Sequence, residues 1–416
     1  MKWTLLVALS CAEAAQTQFP FVTTQDSEVI AALELSSPGS DWSRAGSEAA
    51  VAIVKLDGKL SQHIVLFAGA ELYSYRVSLG RLPAGKHELT VDRDSGQSAA
   101  GSGLKAHSLK VEEVAPTSKE FEIYANAPAF YARENTVGKF SDVPLILYCE
   151  RFADATGKGL EYTVIFSNED GGTSTRALMA RWGRTTDIEY VYRRYSDGRA
   201  IVQGPGHKDV EFSGEREGDH PFLIPVTDNN MIAGGKRSAL LFRLAPVLVD
   251  LKAASRESVM DRFPMTHLVM AKELVREGKL RAFGEVDGEK ISDQRNYLFI
   301  DFSSALDKSS IAVLVRLKDG SIYASDVGRY DYAIARSGHV RTTVELPPGA
   351  TRDQIAGIDF ECRVAPQSPP PHSGSCVLNS VNGVFKLGAD YLPGKSFFSR
   401  TVPVTLPTGR AISFQP

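Results

Sequence analysis

Apolar and polar residues alternate in short runs through the first quarter of the chain, as in Val51-Ala-Ile-Val-Lys55, Ile64-Val-Leu-Phe67, Tyr73-Ser-Tyr-Arg-Val77 and Glu88-Leu-Thr-Val91. A period of two sends successive side chains to opposite faces of a strand, so each run predicts a half-buried strand. Turn residues fall between the runs at Asp57-Gly58, Pro83-Ala-Gly85 and Asp94-Ser-Gly96. Short strands broken by such turns predict an N-terminal β-sandwich over residues 15–117. The strand signal returns in Tyr297-Leu-Phe-Ile-Asp-Phe302, Ile311-Ala-Val-Leu-Val-Arg316, Val340-Arg-Thr-Thr-Val-Glu-Leu346 and Val384-Phe-Lys-Leu387, with a hairpin-type turn at Lys318-Asp-Gly320. A second sandwich is expected over residues 291–416.

Between them, residues 118–290 predict a β-rich α+β region that follows a linker at Pro116-Thr-Ser-Lys119. Its helix is expected over 264–277, with Pro264 in the first turn, Met265, Leu268, Val269, Ala271, Leu274 and Val275 on one face, and Gly278 as the stop. Ser255 is expected to cap a shorter helix before it. The fold class is thus mainly β and multidomain, two sandwich-like units flanking a central one. No repeat of 20–50 residues recurs, which argues against a solenoid or propeller.

The N-terminus changes the picture of where the protein works. Met1-Lys2, a short apolar stretch from Trp3 to Cys11 and the small-x-small site Ala12-Glu13-Ala14 predict a secretory signal peptide over residues 1–14. Ala8-Leu9-Ser10-Cys11 approximates a lipoprotein box, so a lipid anchor is the minor alternative. Beyond this leader no apolar run approaches the ~18–20 residues that span a bilayer. Cys362 and Cys376 flank a loop that a disulfide would close in an oxidising compartment, whereas Cys149, in the strand-like run Leu145-Ile-Leu-Tyr-Cys149, reads as a small buried apolar residue. A secreted or periplasmic location follows. The formal charge of −3 gives no electrostatic reason to expect nucleic acid or an anionic membrane. Nothing in the sequence fixes the oligomeric state.

Candidate chemistry concentrates in the central region. Glu161-Tyr-Thr-Val-Ile-Phe166 predicts a strand that empties into Ser167-Asn168-Glu169-Asp170-Gly171-Gly172, a turn able to present carboxylates. Arg181-Trp182-Gly-Arg184-Thr-Thr then leads into a strand whose period places Asp187, Glu189, Val191 and Arg193 on one face, and Asp197-Gly198 turns it into Arg199-Ala-Ile-Val-Gln203. If the two stretches meet at one end of a sheet, carboxylates, guanidiniums and an indole converge. That combination suits a sugar, with Glu169, Asp170, Asp187 and Glu189 as candidate acid, base or nucleophile. Asp142, Asn168, Arg181, Trp182, Arg184, His220, Asn229 and Asn230 are candidate substrate contacts. The same residues can instead form a solvated turn and ion pairs that fix a hairpin. His220, beside Asp219, is the histidine expected to function; His267 lies in the amphipathic helix.

Established signatures are absent: there is no His-Glu-x-x-His, Gly-x-Ser-x-Gly or Cys-x-x-Cys. Gly80-Arg-Leu-Pro-Ala-Gly-Lys86 has phosphate-loop spacing, but His87 replaces the Ser or Thr and a strand follows where a helix is needed. No twelve-residue EF-hand loop appears, so no cofactor is expected and a divalent cation is not indicated.

The phrase Leu82-Pro-Ala-Gly-Lys-His-Glu-Leu-Thr-Val91 resembles the edge of accessory sandwich domains in secreted carbohydrate-active proteins. Ser167-Asn-Glu-Asp-Gly-Gly-Thr173, Arg181-Trp-Gly-Arg-Thr-Thr-Asp-Ile-Glu189 and Met270-Ala-Lys-Glu-Leu-Val-Arg-Glu-Gly278 resemble a group of secreted bacterial proteins of undescribed activity. That likeness implies export and a shared core but carries no mechanism. The leading expectation is a secreted carbohydrate-active hydrolase working through paired carboxylates. The second is a non-catalytic glycan-binding or surface protein. The third is a metal-assisted ester or phosphoester hydrolase with Asp142, Asp170, Asp219 and His220 as ligands.

Overall fold

The computed structural model describes residues 16–133, 136, 139–169, 171–285, 288–365 and 374–416. The expected leader, residues 1–14, lies outside them. The described chain is mainly β, in six sheets. Near the N-terminus, Thr17–Thr23, Gly85–Arg93, Val51–Leu56 and Lys59–Val65 form one sheet in that order, and Tyr73–Leu82, Ser27–Ser36 and Lys105–Val114 form a second. The Pro83-Ala-Gly85 turn does not close a hairpin: it carries the chain from one sheet to the other. Leu33 and Val77 of one sheet and Val54 and Leu89 of the other share a core, as period-two burial requires.

Six strands make the central sheet, in the order Lys208–Glu211, Ala200–Gly204, Asp187–Tyr195, Gly157–Phe166, Pro144–Asp154 and Val247–Val249, the last added in parallel. A small sheet of Arg216–Glu217, His220–Leu223, Ala129–Tyr131 and Leu241–Phe242 lies beside it in sequence. Leu147, Val164 and Tyr192 belong to the same apolar core as Leu33 and Val54, so that core runs unbroken from the N-terminal sheets into the central one. Cys149 is buried within it, and burial pushes its thiol well above the usual range, away from any nucleophilic role at neutral pH.

A separate core fills the C-terminal pair of sheets, where Ile300 and Phe302 of Tyr297–Asp307 meet Val313 of Ser309–Leu317 and Phe360 of Ile355–Val364. The disulfide forms as the spacing suggests. Cys362 and Cys376, Cα atoms 5.7 Å apart, join strands of opposite sheets and so tie the sandwich together across its core. No helix among the described residues is long and apolar enough to cross a membrane. The disulfide is consistent with an extracytoplasmic location.

The described chain also has four α-helices, α1 (Phe121–Ala125), α2 (Thr175–Trp182), α3 (Ser258–Arg262) and α4 (Met265–Arg276), besides three short 3₁₀ turns. Helix α4 matches the expected 264–277 segment, with Pro264 at its cap and Gly278 in the left-handed region just past its end. Its buried positions include Thr266, His267 and Glu273 besides the apolar ones, while Val275, expected on the apolar face, is exposed. Helix α3 corrects another expectation. Glu257 precedes its first turn without a side-chain cap, and Ser255 instead donates to Asp301 Oδ1 at 3.2 Å, a tie to the C-terminal sheets. Helix α2 was not expected, because Gly-Gly-Thr-Ser reads as loop. Ser174 Oγ accepts from Ala177 N, and Gly183, at φ 64°, ends the helix where a Cβ would strike Arg341 Cγ at 2.9 Å.

Candidate active site

The central sheet sets the geometry. Phe166 lies opposite Asp187 and Val164 opposite Glu189 in the antiparallel register. The chain leaving Phe166 is pinned at once: Ser167 Oγ accepts from Val143 N at 3.2 Å, and Asn168 Oδ1 accepts from Asp142 N at 2.7 Å. Glu169 N then donates to Thr185 O at 3.0 Å, which holds the turn against the chain that leads to Asp187. Asp170 lies outside the described residues. A Cβ on Gly171 would sit 2.6 Å from both Asn229 Cβ and Glu169 Oε1. Glycine is therefore what lets the loop Thr227–Asn230 close over the turn.

That loop supplies the contact at the centre. Asn230, with a left-handed backbone at φ 57°, donates from Nδ2 to Asp187 Oδ2 at 2.9 Å and to Asp142 Oδ1 at 3.2 Å. Arg133 in turn binds Asp142, the Thr227 carbonyl and Asp228. On the outer side His207 lies 2.6 Å from Gln203 Nε2 and 3.1 Å from Asn229 Nδ2.

Burial and charge act together here. Asp187 is fully buried, and burial first, then the charges of Glu169 and Glu189, push its carboxyl well above the usual carboxylate range against the opposing pull of Arg184 and Asn230. Burial likewise raises Glu189, with Arg184, His207, Arg256 and Gln203 opposing. Asp187 Oδ1, Asn230 Oδ1 and Gln203 Oε1 are buried without a hydrogen-bond partner. Glu169 and Glu189 are only partly buried. The arrangement can keep a proton on the enclosed acid while two carboxyl groups beside it reach towards solvent.

The expected face needs one correction. Tyr162 pairs with Tyr192 but Thr163 pairs with Tyr190, so a bulge at Val191 breaks the alternation. Arg193 stacks over the Tyr190 ring, 4.3 Å from its centroid, and pairs with Glu161. It does not continue the face that begins with Asp187 and Glu189.

Other expected members stand apart. Trp182 closes α2, and its indole is ringed by Arg181, Arg184 and Arg336, whose guanidinium carbons lie 5.7, 5.6 and 5.9 Å from its centroid. Arg181 donates to the Asp331 carbonyl. The indole thus packs in the seam with the C-terminal sheets and offers no open platform. His220 is a structural tie: its ring nitrogens face Ala127 O at 2.9 Å and Glu28 Oε2 at 3.2 Å, linking the small sheet to the N-terminal one. Burial alone would lower its pKa, but Glu28 and the carbonyl outweigh it and raise it. Asp142 and His220 serve different partners, and among the described residues no group of three or more His, Cys, Asp or Glu side chains could hold a metal ion.

Arg184 joins the site to the rest of the molecule. It is buried beside the carboxylates, donates to Thr186 O, and points Nε at Glu257 Oε1, 3.7 Å away. Glu257, itself buried, receives Arg336 at 3.1 Å. Sequence reasoning missed Arg133, Gln203, His207, Glu257 and Arg336. Each is distant in the chain from the turn it serves, and none stands in an unusual local pattern. No family model matches the chain, and no curated protein is similar to it in sequence.

Proposed function

We propose that the protein is an exported carbohydrate-active hydrolase. Glu189 is the general acid, Glu169 the base or nucleophile, and Asp187 the enclosed positioning residue that holds a proton behind them. The observation that carries this reading is the raised, fully buried Asp187 carboxyl, on which the charges of Glu169 and Glu189 act. Carboxyl groups whose environments separate their proton affinities are what glycosidic bond cleavage needs: one side donates to the leaving oxygen while the other attacks or activates water. Glu189 suits the acid because burial raises its pKa while part of the side chain stays accessible.

The test is release of oligosaccharides from a broad polysaccharide panel by the wild type, Glu189→Gln and Glu169→Gln. On a cleaved substrate each variant loses about 10²–10⁴-fold in kcat, the range for removal of a general acid or base. Asp187→Asn shifts the alkaline limb of the pH profile. Full activity in Glu189→Gln, or no cleavage across the panel, overturns the proposal.

A further inference from the structure

A second feature adjoins this cluster. A groove of ≈ 730 Å³ is lined by Arg133, Lys139, Lys236 and Arg237, with Ile224 and Val226 among its apolar residues, and none of its described lining residues is acidic. Arg133 is paired with Asp142 and Asp228 and Arg237 with Glu215, so in a chain with formal charge −3 the local positive field of this concavity comes chiefly from Lys139 and Lys236. Lys139 and Lys236 are exposed. Arg237 is oriented rather than loose: its guanidinium lies 5.1 Å from the Tyr131 centroid and 5.3 Å from that of Phe222, and it pairs with the exposed Glu215. Glu169, Asp187 and Glu189 do not line the groove, which is joined to them through a buried chain of hydrogen bonds. Arg133 lines it and binds Asp142, and Asp142 shares the Asn230 amide with Asp187.

We propose that this groove binds an anionic oligosaccharide, one whose sugars carry carboxylate or sulfate groups, and that it is the substrate subsite of the hydrolase, an inference that rests on the proposed function. Guanidinium and ammonium groups pair with such anions by charge-assisted hydrogen bonds. Ile224 and Val226 supply apolar surface for the C–H face of a sugar ring. The volume falls within the range of small-ligand sites, and the cations offset the repulsion an acidic sugar would meet from the neighbouring carboxylates.

Calorimetry of the full chain carrying Glu189→Gln, so that cleavage is slow on the time scale of the titration, measures affinity for four probes. These are a galacturonate hexasaccharide, a sulfated hexasaccharide, a neutral glucose hexasaccharide and a thymidine hexanucleotide. At least one charged saccharide is expected to bind tenfold or more tightly than the neutral one and than the nucleotide, and to weaken as salt is raised. Which of the two binds identifies the anionic group. Lys139→Glu/Lys236→Glu lowers that affinity tenfold or more with an unchanged melting temperature, and Lys236→Ala lowers it less, in the same direction. Equal binding of the neutral saccharide, equal binding of the nucleotide, or no effect of the lysine variants overturns the assignment. Selective binding without cleavage of any anionic glycan by the wild type leaves the groove standing and removes the hydrolase.

Discussion

The Asn230 side chain donates to the Asp187 carboxyl at 2.9 Å where neither residue meets solvent. Because the same amide reaches Asp142, replacing it by a carboxylate sets a third acid between two others. Asn230→Asp should destabilise the fold by about 3 kcal/mol at pH 7, the scale of an uncompensated buried charge, and the deficit should shrink on acidification. Urea unfolding at pH 5 and 7 measures it; an Asp variant as stable as the wild type at pH 7 would contradict the arrangement.

Asp187 also gives stability a sign in pH. Its folded pKa is raised, so from about pH 4, where an unfolded Asp titrates, the folded state holds more protons than the unfolded one. Stability from this group therefore falls as pH rises through that window up to the folded pKa. Asp187→Asn, which stays neutral, should flatten the alkaline decline of the melting temperature. An unchanged slope would mean that Asp187 is ionised in the folded protein.

The opposite sign belongs to Asp261. Burial pushes this carboxyl up, but Arg341 and His267 outweigh it and hold it at about 2. Its contribution is complete above the unfolded value of about 4 and is lost as pH falls through about 2. Arg341 is fully buried and binds Asp261 at 3.0 and 2.5 Å and Asp301 at 2.9 and 2.7 Å. Arg341→Met strands both acids and should cost about 3–5 kcal/mol; adding Asp261→Asn and Asp301→Asn should recover much of it. Chemical denaturation of the four-chain series checks both statements.

Gly183 admits no side chain. Its φ of 64° and the approach of Arg341 Cγ at 2.9 Å and Thr343 Cγ2 at 3.0 Å make Gly183→Ala a strain of about 1–3 kcal/mol. Thermal unfolding should show the loss, and the adjoining Trp182 gives a fluorescence change that reports displacement of the seam.

Removing the disulfide with Cys362→Ser/Cys376→Ser should cost about 3 kcal/mol, the chain-entropy scale for a loop near 15 residues. Denaturation of the oxidised wild type against the double variant measures it; equal midpoints would mean that the bridge adds nothing to stability.

Strand periodicity was legible because half-buried strands write their burial in alternate residues, as in Tyr73, Tyr75 and Val77 against the exposed Ser74 and Arg76. Helix α4 was legible from Pro264 and Gly278. Helix α2 carried its own signal, Ser174 as cap and Gly183 as stop, but the neighbouring Gly171-Gly172 masked it as loop. The bulge at Val191 left no local trace, since an extra residue is visible only against its partner strand. Of the candidate site, Glu169, Asp187, Glu189 and Arg184 stood out as unusual polar density, whereas Asn230 read as part of a separate turn and its reach to Asp187 is visible only in the fold. His220 and Trp182 were drawn in by residue type alone, and their partners Glu28 and Arg336 lie over 150 residues away in sequence.

Helix α4 is clasped from two directions. Trp42, from the N-terminal sheets, donates to Glu273, and His267 faces both Asp261 and the Phe299 ring of the C-terminal sheets. A proteolytic cut in the exposed segment around Ser118 would therefore not free two independent pieces. The N-terminal fragment would be left with a bare indole, the remainder with a buried acid that keeps Arg276 but loses the indole donor, and the nicked halves should stay associated through gel filtration until denaturant parts them.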